Sequence, residues 1–384
     1  MSVIVLFFIS ILLVSVYTVL NIYIAKNMFR VINVFFPKTS KKIFSTIYLI
    51  ISIFFLSYFL FDFFVKPQAF LAIRNILYWI TSVWMGVFVY LLLFYAAKDV
   101  VLFFAKLTKI CKTPLPAKQT VLFCGLPFVL AIGVSVYGLI NGANVKTVQH
   151  RIEAEQISDN FKIVLVSDIH LGAVQSEERL PEIIQKINAQ NPDLVCISGD
   201  IFNDRYTSVK NPESARKLFR QINSKHGVYA CLGNHDGGQE LDLMLNFLKE
   251  SGIKLLNEES TNITDEIILI GRTDGSPIGG FGNIKRQDTQ YIMHNIPQNK
   301  FAIIMEHNPA RINEYSDNAD LILCGHTHKG QIFPANFVTN AMYDMDYGHQ
   351  KFKDTNVVVT SGAGTWGMPM RVGSNCEIVA ITLQ

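Results

Sequence analysis

The stretch Leu321-Ile322-Leu323-Cys324-Gly325-His326-Thr327-His328 decides how this chain is read. An apolar run with strand character ends abruptly in two histidines two residues apart. Extended backbone sends successive side chains to opposite faces, so positions i and i+2 share a face. Both imidazoles can then reach one cluster of metal ions from a strand end. Residues 161–167 have the same build and run into Asp168-Ile169-His170. Residues 194–198 run into Gly199-Asp200, and residues 228–232 into Gly233-Asn234-His235-Asp236. A fifth run, 301–305, delivers Glu306-His307-Asn308. Short β-rich runs that each end in His, Asp or Asn point to a sheet with its site at the strand ends.

Asp168, His170, Asp200, Asn234, His307, His326 and His328 offer oxygen and nitrogen donors and no thiolate. Such a set suits divalent transition metals, Mn²⁺ first and Fe or Zn²⁺ as alternatives. A carboxylate such as Asp200 can bridge two ions. Two ions about 3.5–4 Å apart can hold both oxygens of an in-line phosphoryl displacement and supply a hydroxide at neutral pH. His235 follows Asn234 and need not be a ligand. With Asp236 beside it, His235 can protonate a leaving oxygen or stabilise the transition state.

The chain before these motifs has a different composition. Of the 34 Lys/Arg, 13 lie in residues 1–150 with only 2 of the 31 Asp/Glu, leaving 21 basic and 29 acidic residues after them. A basic half therefore precedes an acidic one. An acidic site-bearing half argues against a nucleic-acid partner, because such binding rests on Lys and Arg neutralising phosphates. Residues 3–24, 43–65, 75–97 and 120–140 are apolar runs of about 20 residues, roughly the length that crosses a ~30 Å hydrocarbon core. The first lacks a basic leading segment and is followed by more spans, so it reads as a retained helix rather than a cleaved signal. Residues 100–107 are apolar but too short to cross, and read as an interfacial loop. The expected organisation is an anchor of four membrane helices over 1–140 and a site-bearing domain over 141–384.

Basic residues in short loops orient the anchor. Lys26, Arg30, Lys38, Lys41 and Lys42 lie in the first loop, and Lys98, Lys106, Lys109, Lys112 and Lys118 in the third. The second holds Lys66 and Arg74. Loops one and three are expected in the cytoplasm, which puts the domain on the periplasmic or extracellular side of the cell membrane. Asp62 is the one acid within these spans and sits near the expected outer interface, so the spans read as an anchor rather than a transport path.

Past the anchor, residues 146–154 alternate as a half-buried strand. Helices are expected over 177–189, 212–222 and 239–248, and further strands over 267–270, 357–360 and 378–383. The alternation points to an α/β domain with a large mixed sheet or two packed sheets. Cys196, Cys231, Cys324 and Cys376 lie in or beside apolar strands and read as buried free thiols. His226, His294 and His349 read as surface residues. The aromatic segment 332–351 reads as core, with an apolar lip over the site as the alternative. Lys329, Arg272 and Arg371 are candidate phosphate contacts.

Taken in order, the motifs resemble those of the calcineurin-like metallophosphoesterases: D-x-H, G-D, G-N-H-D/E, a single H, and G-H-x-H, all within 161–384. The tail Gly364-Thr365-Trp366-Gly367-Met368-Pro369-Met370-Arg371 is similar to the membrane-anchored subgroup known as transmembrane proteins with a metallophosphoesterase domain. Lys329 departs from that subgroup, which carries glycine after the second histidine. The resemblance implies a four-layer αββα sandwich following the helical anchor. It implies Asp168, His170, Asp200 and His328 on one metal, and Asp200, Asn234, His307 and His326 on the other. His235 is its catalytic histidine. The function this reading supports is hydrolysis of phosphodiester or pyrophosphate bonds, on an amphiphilic lipid-headgroup or cell-envelope substrate. Two alternatives remain: a cytoplasm-facing UDP-2,3-diacylglucosamine pyrophosphatase, for which the family has a precedent, and a non-catalytic phosphate-binding sensor. Oligomeric state is not legible.

Overall fold

The computed structural model describes residues 3–65, 71–110, 115–174, 176–294, 296–297, 299–315 and 319–384, with side chains omitted at 3–10, 59–65 and 71–75. The side chains of Asp62, Lys66, Arg74 and Lys112 lie outside that description. Two compact units make up the chain, Met1–Tyr137 and Gly138–Gln384.

The first unit is built from α1 (Val3–Phe35), α2 (Lys41–Val65), α3 (Leu71–Leu107) and most of α4 (Ala117–Ala143). All four helices are long and apolar enough to cross a membrane. Their outward faces carry bare Leu13, Ile50 and Val129, each more than 60% exposed, as a surface facing lipid tails requires. Between helices the contacts are polar as well as apolar. The Trp84 indole N–H donates to Tyr17 Oη at 2.9 Å, Tyr17 donates to the Ser52 carbonyl, and Tyr48 donates to Asn21. Such bonds hold helices together where the hydrophobic effect between them is weak. Residues 100–107 are not an interfacial loop but the continuation of α3. Nothing between Ala97 and Leu107 breaks a helix, so the backbone bonds continue beyond the apolar run. With 37 residues at ~1.5 Å each, α3 is ~55 Å long and outreaches the hydrocarbon.

The second unit runs β1 (Val145–Ile152), β2 (Phe161–Val166), α5 (Ser176–Ala189), β3 (Leu194–Ser198), α6 (Pro212–Phe219), β4 (Val228–Cys231), α7 (Leu241–Glu250), β5 (Ile253–Leu255), β6 (Glu259–Asn262) and β7 (Ile267–Gly271). It continues with α8 (Thr289–His294), β8 (Phe301–Met305), β9 (Leu321–Cys324), α9 (Ala335–Met342), β10 (Gly348–Phe352), β11 (Thr355–Val359) and β12 (Cys376–Leu383). These strands form two six-stranded mixed sheets, β1-β12-β2-β3-β4-β5 and β10-β11-β9-β8-β7-β6.

The two-residue period of each strand sorts its side chains into layers. Phe161, Ile163 and Leu165 of β2 face a core shared with Phe301, Ile303 and Met305 of β8, between the sheets. The alternate residues Val164 and Val166 pack instead on Leu180, Ile183, Phe219 and Phe247 of α5, α6 and α7. Ala302 and Ile304 of β8 pack on Ile292 and Met293 of α8. Strands covered on both faces read as unbroken apolar runs, which is why 163–166 and 301–305 lack alternation. The result is helices, sheet, sheet, helix, the four-layer sandwich expected.

Segment 332–351 takes its expected core role only in part: Ile332 and Met345 are buried, Met345 in the core that holds α8. It contains α9, none of whose residues is buried, and Phe337 and Met342 are 64% and 69% exposed. Aromatic content alone does not say whether a neighbouring layer exists to receive each residue, and for α9 none does among the described residues.

Candidate metal centre

β2, β3, β4, β8 and β9 each stop at the same kind of place: an apolar strand gives way to a turn, and the turn presents the polar side chains. Asp168, His170 and His328 bring donor atoms within 4.8 Å of one another, and Asp200, His307 and His326 do the same. Asp200 joins the groups: its Oδ2 lies 3.2 Å from His307 Nε2 and 3.7 Å from His170 Nε2. His328 Nε2 stands 3.1 Å from His170 Nε2 and 3.4 Å from Asp168 Oδ1. Asn234 Oδ1 completes the second group, 2.8 Å from His326 Nδ1. All seven side chains singled out in the sequence are thus in one place.

Local backbone strain aims them. Asp168, His170, Asp200, His326 and His328 have φ of 54°, 52°, 51°, 72° and 50°, the left-handed region that non-glycine residues seldom occupy. Each such residue costs on the order of 1–3 kcal/mol and persists only where its surroundings enforce it. Two glycines let the turns approach. A Cβ on Gly199 (φ 79°) would meet Gly233 Cα and His307 Nδ1 at 2.7 Å. One on Gly233 would strike the Asp200 carboxylate.

Burial and mutual charge leave these groups far from their ordinary states. Burial pushes Asp200 up, yet the facing His307, with His235 and His170, holds it well below the usual carboxylate range. Burial alone would depress His307, but Asp200 and Asp168 lift it well above an ordinary imidazole. Asp168 is raised by burial and by the Asp200 charge. Burial drives His170 down to about 3 and His328 well below the imidazole range. The pocket therefore packs acids that need a cation beside imidazoles that prefer a free lone pair. Divalent ions satisfy both demands.

Neighbouring groups fix the ring tautomers. His307 Nδ1–H donates to the Ser198 carbonyl at 2.8 Å, which leaves the Nε2 lone pair on the side of Asp200, free to ligate an ion. Glu306 anchors the same turn through a bidentate pair with Arg286 at 2.6 and 3.1 Å. Arg371 spans from the His328 carbonyl (2.8 Å) to His328 Nδ1 (2.9 Å) and to the Ser361 and Gly364 carbonyls. His170 Nδ1 is buried without a hydrogen-bond partner among the described residues, so this ring is held by packing and by what its Nε2 meets. The residues present fit a pair of divalent ions.

Several expected contacts take other roles. Asp236 does not serve His235. Its carboxylate accepts from the backbone N–H groups of Phe202 (2.8 Å) and Gly233 (2.9 Å), tying together the turns after β3 and β4. The partner of His235 is Asp204, whose Oδ1 lies 2.9 Å from Nδ1, with the Asn203 carbonyl at 2.6 Å. Asp204 was missed because it stands in a turn, four residues past Asp200, outside any apolar run. Arg272 is fully buried against Glu258 at 3.1 Å and offers no atom to an incoming ligand. Arg371 is equally buried and is a positioning residue for His328, not a substrate contact. Lys329 rests its ammonium over the Tyr347 ring, 4.0 Å from the centroid. Trp366 lies 6.0 Å from the His235 ring and Tyr343 6.1 Å from the His326 ring.

Residues 161–330 match the family model described as calcineurin-like phosphoesterase. An uncharacterised metallophosphoesterase of Campylobacter jejuni is 30% identical, the match covering 98% of each chain. This chain belongs to the metallophosphoesterases. A second relative, from Aquifex aeolicus, is 27% identical over 66% of this chain and 98% of its own. The transmembrane protein with metallophosphoesterase domain of Danio rerio is 30% identical over 70% of this chain and 63% of its own. With its four apolar helices and relatives of that kind, this metallophosphoesterase is a membrane protein.

Asp200→Asn should remove most bound metal and turnover together, because both donor groups lose their shared charge; metal analysis with a bis-p-nitrophenyl phosphate assay checks this. A fully active Asp200→Asn protein would sink the shared-carboxylate reading. A second expectation concerns pH. Burial lowers His235, but Asp204 and Asp200 outweigh it and lift the imidazole to about 9. Folding therefore favours its charged form. That stability is complete below about pH 6.5, the ordinary imidazole value, and is lost as pH rises through about 9. Urea midpoints of the metal-free protein should fall across this window, and His235→Gln should flatten the fall.

Proposed function

We propose that this metallophosphoesterase is a dinuclear hydrolase of phosphodiester or phosphoanhydride bonds, anchored in the cell membrane and acting on an amphiphilic substrate. The observation that carries it is the pair of donor groups joined by Asp200, with His235 beside them and hydrogen-bonded away from them. Asp168, His170, Asp200 and His328 would hold one ion; Asp200, Asn234, His307 and His326 would hold the other. Manganese is the ion we assign, from the hard and intermediate donors. The ions, when bound, neutralise the phosphoryl oxygens and supply the nucleophile at neutral pH.

The remaining chemistry belongs to side chains. Asp204 and the Asn203 carbonyl hold His235 Nδ1–H, which leaves Nε2 to deliver a proton to the leaving oxygen. A positive charge there also opposes the charge that develops on that oxygen. Trp366 and Tyr343 stand beside His235 and His326 as apolar walls. Amphiphilicity is supported by the surface next to them. Phe333, Phe337, Val338, Met342 and Trp366 are all at least 44% exposed, an apolar group that solvation alone does not favour. Gln331 ties Trp366 to this segment: its amide donates to the Trp366 carbonyl at 2.8 Å and accepts from the Trp366 N–H at 2.8 Å. An acyl chain is the ligand such a rim suits. The counts of basic residues in the loops favour a periplasmic or extracellular domain.

His235→Ala should keep its metal and lose roughly 10²–10⁴-fold in rate on an alkyl diester, less on a p-nitrophenyl ester whose leaving group needs no proton. Alkaline phosphatase fused after Gln384 should be active and green fluorescent protein there dark. The reverse pattern would place the domain in the cytoplasm and favour a nucleotide-lipid pyrophosphatase. Phe337→Ser/Met342→Ser should slow hydrolysis of a phospholipid in vesicles while leaving bis-p-nitrophenyl phosphate turnover unchanged.

A further inference from the structure

Within the helical unit a cavity of ≈ 950 Å³ opens where the ends of four helices meet. Lys26 and Arg30 of α1, Lys41 of α2 and Lys106 of α3 line it. One carboxylate, Asp99, shares the wall, and it is already engaged. Lys98 Nζ lies 2.8 Å from Asp99 Oδ1, and the Tyr23 hydroxyl donates to Asp99 Oδ2 at 2.5 Å. Lys98 is itself buried and also donates to Asn27 Oδ1. The Lys98–Asp99 pair is neutral, and Arg30 also acts on that one carboxylate, so four cations surround a concavity lined by a single acid that already has its own lysine partner.

Depth and wall chemistry narrow the ligand. The uncharged runs of α1 and α3 end at Ile24 and Ala97, and the charged wall begins within two residues of each. That is the level at which hydrocarbon gives way to headgroups. Phe29, Leu102 and Phe103 contribute apolar surface alongside the cations. The first turns of α2 and α4 bring Lys41 and Ala117 to the same opening, so two helix N-termini add partial positive charge. Basic residues serving only to orient a membrane protein have no need to converge on one cavity whose single lining carboxylate already has a lysine partner.

We propose that this cavity is a binding site for the phosphate headgroup of an anionic phospholipid, separate from the metal centre. No residue of the catalytic unit lines it. The phosphate sits among Lys26, Arg30, Lys41 and Lys106 through charge-assisted hydrogen bonds, and the acyl chains follow the apolar helix faces.

The test uses full-length protein in detergent micelles, carrying Asp200→Asn so that the metal centre does not contribute. Dioleoyl phosphatidic acid is added, and binding is read by native mass spectrometry and by thermal shift. Dioleoyl phosphatidylcholine and glycerol 3-phosphate form the comparison arms. Phosphatidic acid should bind as one retained lipid and raise the melting temperature, and the other two should not. Lys26→Gln/Arg30→Gln/Lys106→Gln should weaken binding by about 100-fold, the order expected for three basic groups at a headgroup. The same triple variant made with Asp200 intact should keep bis-p-nitrophenyl phosphate turnover, which establishes that it folds. Lys42→Gln/Lys109→Gln changes charge in the same loops outside the cavity and should bind as the parent does. Equal loss in both charge variants would overturn the cavity in favour of diffuse surface charge. An equal response to glycerol 3-phosphate would overturn the lipid assignment, and no response to phosphatidic acid would overturn the site.

Discussion

Everything at the strand ends depends on the Asp200 carboxylate. It is 2% exposed, accepts the His235 backbone N–H through Oδ1 at 2.9 Å, and faces both His307 and His170 through Oδ2. A buried carboxylate in such company stays ionised only if positive charge is supplied within a few ångströms. In this chain protons on imidazole can supply part of it, and metal ions can supply all of it. The left-handed turns at Asp168, His170, Asp200, His326 and His328 are the conformational cost of bringing the donors to that one charge.

The sandwich is what makes such turns tolerable. Two mixed sheets, packed face to face through Leu165, Leu269, Ile303 and Leu323, hold their strand ends rigidly. Strain at a strand end then cannot relax by moving the strand. A shell of hydrogen bonds finishes the alignment: Ser198 to His307, Arg286 to Glu306, Arg371 to His328, Asp204 to His235. Rearranging any one of these would turn a ring rather than move an element, so the site is stiff at the level of single side chains.

The two halves of the chain treat charge in opposite ways. The sandwich concentrates acids and lets metals balance them. The helical bundle concentrates Lys and Arg where its apolar runs end and, among the described residues, pairs Asp99 with Lys98. This metallophosphoesterase thus carries a cluster of cations in its helical unit and a cation-demanding pocket in its sandwich.

Much of this was legible in the chain itself. Apolar runs ending in ligand-type residues mark strands, and short-range periodicity reports burial on both faces, so the sheets, the four long helices and the seven donors could be read directly. The reading failed where the deciding contact was distant in sequence. Asp236 looked like the partner of His235 because it is adjacent, yet a turn directs its carboxylate to Phe202 and Gly233. Arg371 looked like a phosphate ligand because it is basic, yet it lies buried against His328, 43 positions away. Segment 332–351 looked like core because it is aromatic, yet among the described residues α9 buries none of its side chains, and Met345 after it does reach the core. Residue type and spacing determine which chemistry a chain can perform. Which carboxylate meets which imidazole, and which apolar side chain is left without a neighbour, is decided only when separate strands and turns are packed together.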